Sequence, residues 1–222
     1  MAGYIYLPIP TQEMLKFAAN WREGQTNKGK TPYAVLHNYE SGWGKGLRRR
    51  VGLGVLRNVI ASDRLYVLAH GSAKGSKKIG ARRGATAEVT AGMERWKGGV
   101  MKAYTPDELA EVIQKEGLLT SFVDLRVFAC GSGLVPAGET RAFSEKLCES
   151  LVAQGYNLIQ VTGYAGAVRS SYSTRQIPGS IGYTKSEHRG VEIDGHIYKS
   201  SDFSVVFRSA TGRVNDDDDV FS

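Results

Sequence analysis

Two apolar runs in the middle of the chain constrain its fold more than any other feature. "RLYVLAHG" (64–71) is continuous in apolar residues from Leu65 to Ala69, the pattern of a strand covered on both faces, and "FVDLRVFAC" (122–130) reads as the next strand. Between them, "YTPDELAEVIQKEGL" (104–118) has the signature of a helix start. Thr105 suits the cap, Pro106 the first helical position, and Asp107 and Glu108 the positive end of the helix dipole. Behind the second run, "TRAFSEKLCESLVAQG" reads as a helix with Phe143, Leu147, Leu151 and Val152 inward, and "NLIQVTGY" as a further strand. Strand, helix, strand, helix, strand predicts an α/β fold: a mostly parallel sheet flanked by helices on both faces.

The flanks are plainer. "YIYLPIP" predicts a short strand stopped by its prolines. "TQEMLKFAANWREG" predicts a helix with Met14, Phe17, Ala18 and Trp21 on one face and Gly24 as its stop. "YAVLH" suits a strand, and residues 72–103 a long loop with a hairpin. In the last quarter "GVEIDGHIY" and "DFSVVFR" alternate, which predicts antiparallel strands or a β-rich flap. With 222 residues, 41% of them apolar, one globular domain over 1–213 is expected, with its core at about 60–165 and an acidic tail at 214–222.

The absence of a long apolar run predicts no membrane span. The N-terminus lacks a signal-peptide pattern, so the expectation is a chain made in the cytoplasm, with secretion or injection by an unmarked route left open. Two cysteines do not make a disulfide scaffold. Cys148 reads as a small buried hydrophobe about 12 Å into its helix, beyond disulfide reach of Cys130. No cysteine–histidine set has zinc spacing, so no metal is expected. The formal charge of +7 gathers in "GKGLRRR", "KGSKK" and "ARR" and points weakly to an anionic ligand. Few aromatic residues interleave these cations, which argues against nucleic acid.

His70 and Cys130 fall just past the carboxyl ends of their strands, where working residues of parallel sheets gather. A cysteine attacks a carbonyl as thiolate, and an imidazole can take its proton and return it to the leaving group. The developing oxyanion needs donors, and the N–H groups of Gly71 and Cys130 are candidates, with glycines on both segments permitting close approach. Asp124 lies at the far end of the cysteine strand and does not suit an orienting role. Phe128 replaces the glycine that a serine-hydrolase elbow needs two residues before its nucleophile.

"LAHG" and "VFAC", 60 residues apart and each closing an apolar strand, resemble the His-Gly and Ala-Cys motifs of clan CD cysteine peptidases, which include caspases, gingipains and the self-processing domains of bacterial toxins. The resemblance covers roughly residues 60–165. It implies a caspase-like fold and a Cys–His dyad, with Cys130 as nucleophile, His70 as acid and base, and a protein as substrate. Phe128 stands where the caspase pattern has glutamine, so caspase specificity does not transfer. The glycine-rich, basic character and strand-rich end are more similar to the toxin-processing subgroup. That implies a bacterial effector or toxin needing no cofactor, with inositol hexakisphosphate as a candidate activator on Lys74, Lys77, Lys78, Arg82 and Arg83. In the clan, the segment after the next strand lines the primary pocket. Here that implies Arg169 and Arg175 as receivers of an acidic side chain, with Tyr164 and Tyr172 beside them. His188 and His196 read as structural or exposed. Two rivals stay open: a polyanion- or nucleic-acid-binding protein on the same fold, and a thiol amidase or acyltransferase.

Overall fold

The structure is a computed structural model that describes residues 1–42, 46–49, 54–90, 93–174, 186–193 and 196–208. The chain opens with β1 (Gly3–Leu7), α1 (Gln12–Thr26) and β2 (Ala34–His37), followed by a short hairpin of β3 (Tyr39–Gly42) and β4 (Gly46–Arg49). Strand β5 (Arg64–Leu68) leads into a β arm made of β6 (Ile79–Arg83), β7 (Thr86–Thr90), β8 (Met93–Lys97) and β9 (Val100–Tyr104). Then come α2 (Pro106–Lys115), β10 (Asp124–Phe128), α3 (Phe143–Ala153) and β11 (Gln160–Tyr164). The last part holds β12 (Ala167–Thr174), β13 (Ser186–Ile193), β14 (His196–Lys199) and β15 (Ser204–Arg208).

The central sheet has six strands in the order β15-β11-β10-β5-β1-β2. Five are parallel and only β15 is antiparallel. Strand order reverses between β1 and β5. α1 returns the chain to one side of β1, while α2 and α3 carry it outward through β10 and β11. Because crossovers are right-handed, opposite directions of travel put α1 on one face and α2 and α3 on the other.

The strand period of two matches this layering. Tyr66, Leu68 and Phe128 bury against Met14, Ala18 and Trp21 of α1. Leu65, Val67, Leu125 and Val127 bury against Leu109 and Ile113 of α2 and Leu147 and Leu151 of α3. Each such side chain contributes about 1.5–3 kcal/mol. Thr105 and Glu108 form the capping box that starts α2.

Three expectations need correcting. α1 runs past Gly24 to Thr26, because Gly24 is buried within its last turn and the turn ends at Gly29, whose φ is +66°. Residues 72–103 are mainly a two-part antiparallel arm rather than loop. "DFSVVFR" is the antiparallel strand expected, but it joins the main sheet as its sixth strand rather than the flap. At this sheet edge Val205 and Val206 stay exposed, while Phe207 packs on the core. The flap itself is the antiparallel sheet β12-β13-β14. The sheet thus draws strands from both sides of residues 60–165, and the acidic tail at 214–222 lies outside the described residues.

Cys148 is 2% exposed in the α2–α3 face of the core. Burial pushes its thiol up to about 11, with Glu149 adding to the rise. A raised folded-state pKa gives stability that is full below the unfolded value and is lost as pH climbs through the folded one. Between pH 9 and 11 the wild type should lose about 2 kcal/mol from this group. Urea titrations at both pH values check it: Cys148→Ala should lose correspondingly less over the same interval, and an equal loss would remove Cys148 as the cause.

Candidate active site

The register of two neighbouring strands builds the site. β5 and β10 pair in parallel with Leu68 opposite Phe128, and the ladder extends through Ala69 N–H to the Phe128 carbonyl at 3.4 Å. Two residues further, His70 and Cys130 come level. They share the face of Leu68 and Phe128, which is the α1 face, on strands about 4.8 Å apart. Both line a cavity of about 290 Å³ floored by Leu68 and Phe128, with Phe17 of α1 on one wall and Val168 and Arg169 of β12 on the other.

The cysteine turn is pinned on several sides. Ser132 Oγ donates to the Val127 carbonyl at 2.7 Å and accepts from Tyr164 N–H at 3.0 Å. Gly131 N–H donates to the Gly166 carbonyl at 2.8 Å, and Gly133 N–H to the Tyr164 carbonyl at 3.0 Å. Gly131 takes φ +56°, and a Cβ there would stand 2.1 Å from the Ser72 carbonyl. From the other segment, buried Ser76 donates its hydroxyl to the Cys130 carbonyl at 2.9 Å and accepts from Ser72 N–H at 2.7 Å. Gly71 packs on the Cys130 backbone so closely that a Cβ would lie 2.3 Å from that carbonyl oxygen.

Cys130 is a free, partly exposed thiol. Burial pushes its pKa up, and backbone hydrogen bonds at Val168, Gly71 and Cys130 itself pull partly the other way. The Gly71 backbone packs against Cys130: a Cβ on Gly71 would stand 3.2 Å from the Cys130 nitrogen. Among the described residues Sγ is not hydrogen-bonded to His70; it approaches the Val168 carbonyl at 3.9 Å.

His70 is held by its backbone and its ring. Its N–H donates to the Gly80 carbonyl at 2.7 Å and its carbonyl accepts from Gly80 N–H at 3.0 Å, at the root of the β arm. The ring meets Phe17 edge-on at 5.8 Å. Nε2 lies 3.0 Å from Glu13 Oε2, close enough for an ion pair although not aligned as a hydrogen bond.

Glu13, 4% exposed, is what a reading of the sequence misses. The signal was its place on the α1 row 13–17–21, four residues before Phe17 and eight before Trp21. An acid on an otherwise apolar row is the informative kind of exception.

The remaining candidates separate. Arg169 lines the cavity, and its Nε donates to Glu192 of β13 at 2.9 Å. Tyr164 is 2% exposed and packs edge-on against Phe128, beneath the cavity rather than on its wall. Tyr172 sits on β12 and His188 on β13; Arg175 lies outside the described residues. His196 is exposed beside Tyr198. Asp124 binds Arg64 at 2.6 Å and Arg126 at 2.8 Å, at the opposite strand end from Cys130. Burial pushes its carboxyl up, but the two guanidinium groups outweigh that and hold it below its ordinary value.

Of the five basic residues named from the sequence, Lys77 and Lys78 line a second cleft of about 490 Å³ beside the start of α2, with Arg141 and Lys146. Glu139 pairs there with Lys77 and Lys146, and Glu149 with Arg141, so much of the cleft's charge is already matched. Arg82 and Arg83 stand exposed on β6. Among the described residues, no three His, Cys, Asp or Glu side chains are placed to hold a metal ion, and no helix is long and apolar enough to cross a membrane. No protein-family model, no curated protein and no solved structure matches this chain.

Proposed function

We propose that this chain is a cysteine endopeptidase with a caspase-like core, hydrolysing peptide bonds through Cys130 and His70. The observation that carries the reading is the convergence of thiol and imidazole on one cavity at the carboxyl ends of β5 and β10, with the Gly71 backbone packed on that of Cys130. The clan CD resemblance of "LAHG" and "VFAC" supports the same assignment.

Burial pushes the Cys130 thiol pKa up, so forming the thiolate calls on a base, the role given to His70. A scissile carbonyl carbon enters at Sγ. The thiol proton passes to His70, the S–C bond forms, and the carbonyl oxygen takes the negative charge beside the amides of Gly71 and Cys130. Collapse breaks the C–N bond as His70 protonates the leaving amine. Water, deprotonated by the imidazole, then hydrolyses the thioester and restores the thiol.

A cavity of about 290 Å³ accommodates a single side chain beside the cut rather than a larger ligand. Its floor is apolar and Arg169 stands at its rim. An acidic side chain would compete with Glu192 for that guanidinium.

The test is a map of new protein N-termini made by the purified chain in whole-cell lysates, beside Cys130→Ala, with and without inositol hexakisphosphate. Termini that appear only with intact Cys130 are the expected result, and none in any lysate rejects an endopeptidase. Acidic residues before the cut, lost when Arg169→Ala is used, are expected if Arg169 selects substrate; an unchanged preference removes it. Dependence on the polyphosphate, lost in Lys77→Ala/Lys78→Ala, would tie that cleft to activation and favour a regulated effector protease.

A further inference from the structure

We infer that Glu13 is a positioning residue for His70: its buried carboxylate holds the imidazole with a proton on Nε2, leaving Nδ1 to exchange a proton with Cys130. The inference rests on the reading of Cys130 and His70 as a catalytic pair.

A carboxylate is costly to bury unless donors or a cation face it. The Glu13 side chain is 5% exposed, and His70 is its ion-pair partner among the described residues, at 3.0 Å. A second contribution comes from α1 itself. Thr11 caps the helix and Glu13 lies in its first turn, where aligned peptide dipoles favour negative charge. A charge serving the helix alone could sit in solvent at the same turn. Here it is turned inward, onto the one titratable ring of the cavity.

The surroundings leave His70 little freedom. Gly80 clamps its backbone from both hydrogen-bonding groups. Phe17, one turn beyond Glu13, meets the ring edge-on, so one helix face supplies both the charge and the apolar wall. When the thiol proton moves to Nδ1, the ring becomes an imidazolium whose Nε2 lies 3.0 Å from the Glu13 carboxylate. That charge is stabilised until the proton leaves with the amine, and Glu13 never takes it. The carboxylate touches neither substrate nor sulfur; it acts through the ring.

The experiment measures alkylation of Cys130 by iodoacetamide at neutral pH, located by peptide mass spectrometry, in the full chain. It needs no peptide substrate. Glu13→Gln is expected to slow the reaction about 10-fold or more, in the direction of His70→Gln. The double variant should be no slower than His70→Gln alone, because both act through one ring. If His70→Gln slows alkylation and Glu13→Gln does not, Glu13 has no positioning role and the pair stands. If His70→Gln itself reacts like wild type, the catalytic pair fails and Glu13's role with it. Should Glu13→Gln not fold, the wild type decides: long-range ¹⁵N–¹H spectra of histidine-labelled protein should show the neutral His70 ring protonated at Nε2. Protonation at Nδ1 overturns the assignment.

Discussion

Replacing His70 with Gln is expected to lower kcat/KM by about 10³-fold on a peptide taken from the N-terminus map, with KM nearly unchanged. General acid–base catalysis contributes about 10²–10⁴-fold. The middle of that range is expected here, because burial pushes the Cys130 thiol pKa up and no other described base lines the cavity. Cys130→Ala should abolish turnover, and the double variant should be no worse than Cys130→Ala, since the two side chains act as one unit. Cys130→Ala should keep a urea midpoint close to wild type, whereas His70→Gln removes the ion-pair partner of buried Glu13 and should lower it. A His70→Gln protein within a few-fold of wild-type turnover would leave the thiol without its base and exclude the dyad.

Gly71→Ala is the second large effect, and it tests the backbone rather than a side chain. The new Cβ would lie 2.3 Å from the Cys130 carbonyl oxygen, 2.5 Å from Ser76 Oγ and 3.2 Å from the Cys130 nitrogen. The carbonyl cannot retreat easily, because Ser76 holds it and Gly131 and Ser132 tie down the following turn. Overpacking of this kind costs about 1–3 kcal/mol, and displacing reacting groups by about 1 Å costs 10²-fold in rate. Gly71→Ala should therefore lower Tm and cut kcat/KM by about 10²-fold. A variant matching wild type in both would remove the close approach of the two segments as a requirement of the site.

Much of this arrangement was legible in the residues. Short apolar runs bounded by turn residues fit strands covered on both faces, and "YTPDELAEVIQKEGL" carries its own start signals, so the strand–helix alternation and its parallel sheet followed from local patterns. The edge strand "DFSVVFR" was harder. Its alternation is the same whether it pairs with a flap or with β11, and pairing partners are non-local. The arm at 72–103 was obscured by its glycines and lysines, whose weak strand preference is overridden by cross-strand pairing.

For the candidate site, the residue order placed His70 and Cys130 at strand ends and Gly71 beside them, because strand termini and glycines are local signals. Tertiary structure decided what faces them. Only the register of β5 on β10 makes the two residues level, and only the right-handed return of α1 lays Glu13 and Phe17 over that face. Glu13 looks in the sequence like an ordinary first-turn acid. Its burial against an imidazole depends on where a crossover helix lands, a property of the packed sheet and of no single segment.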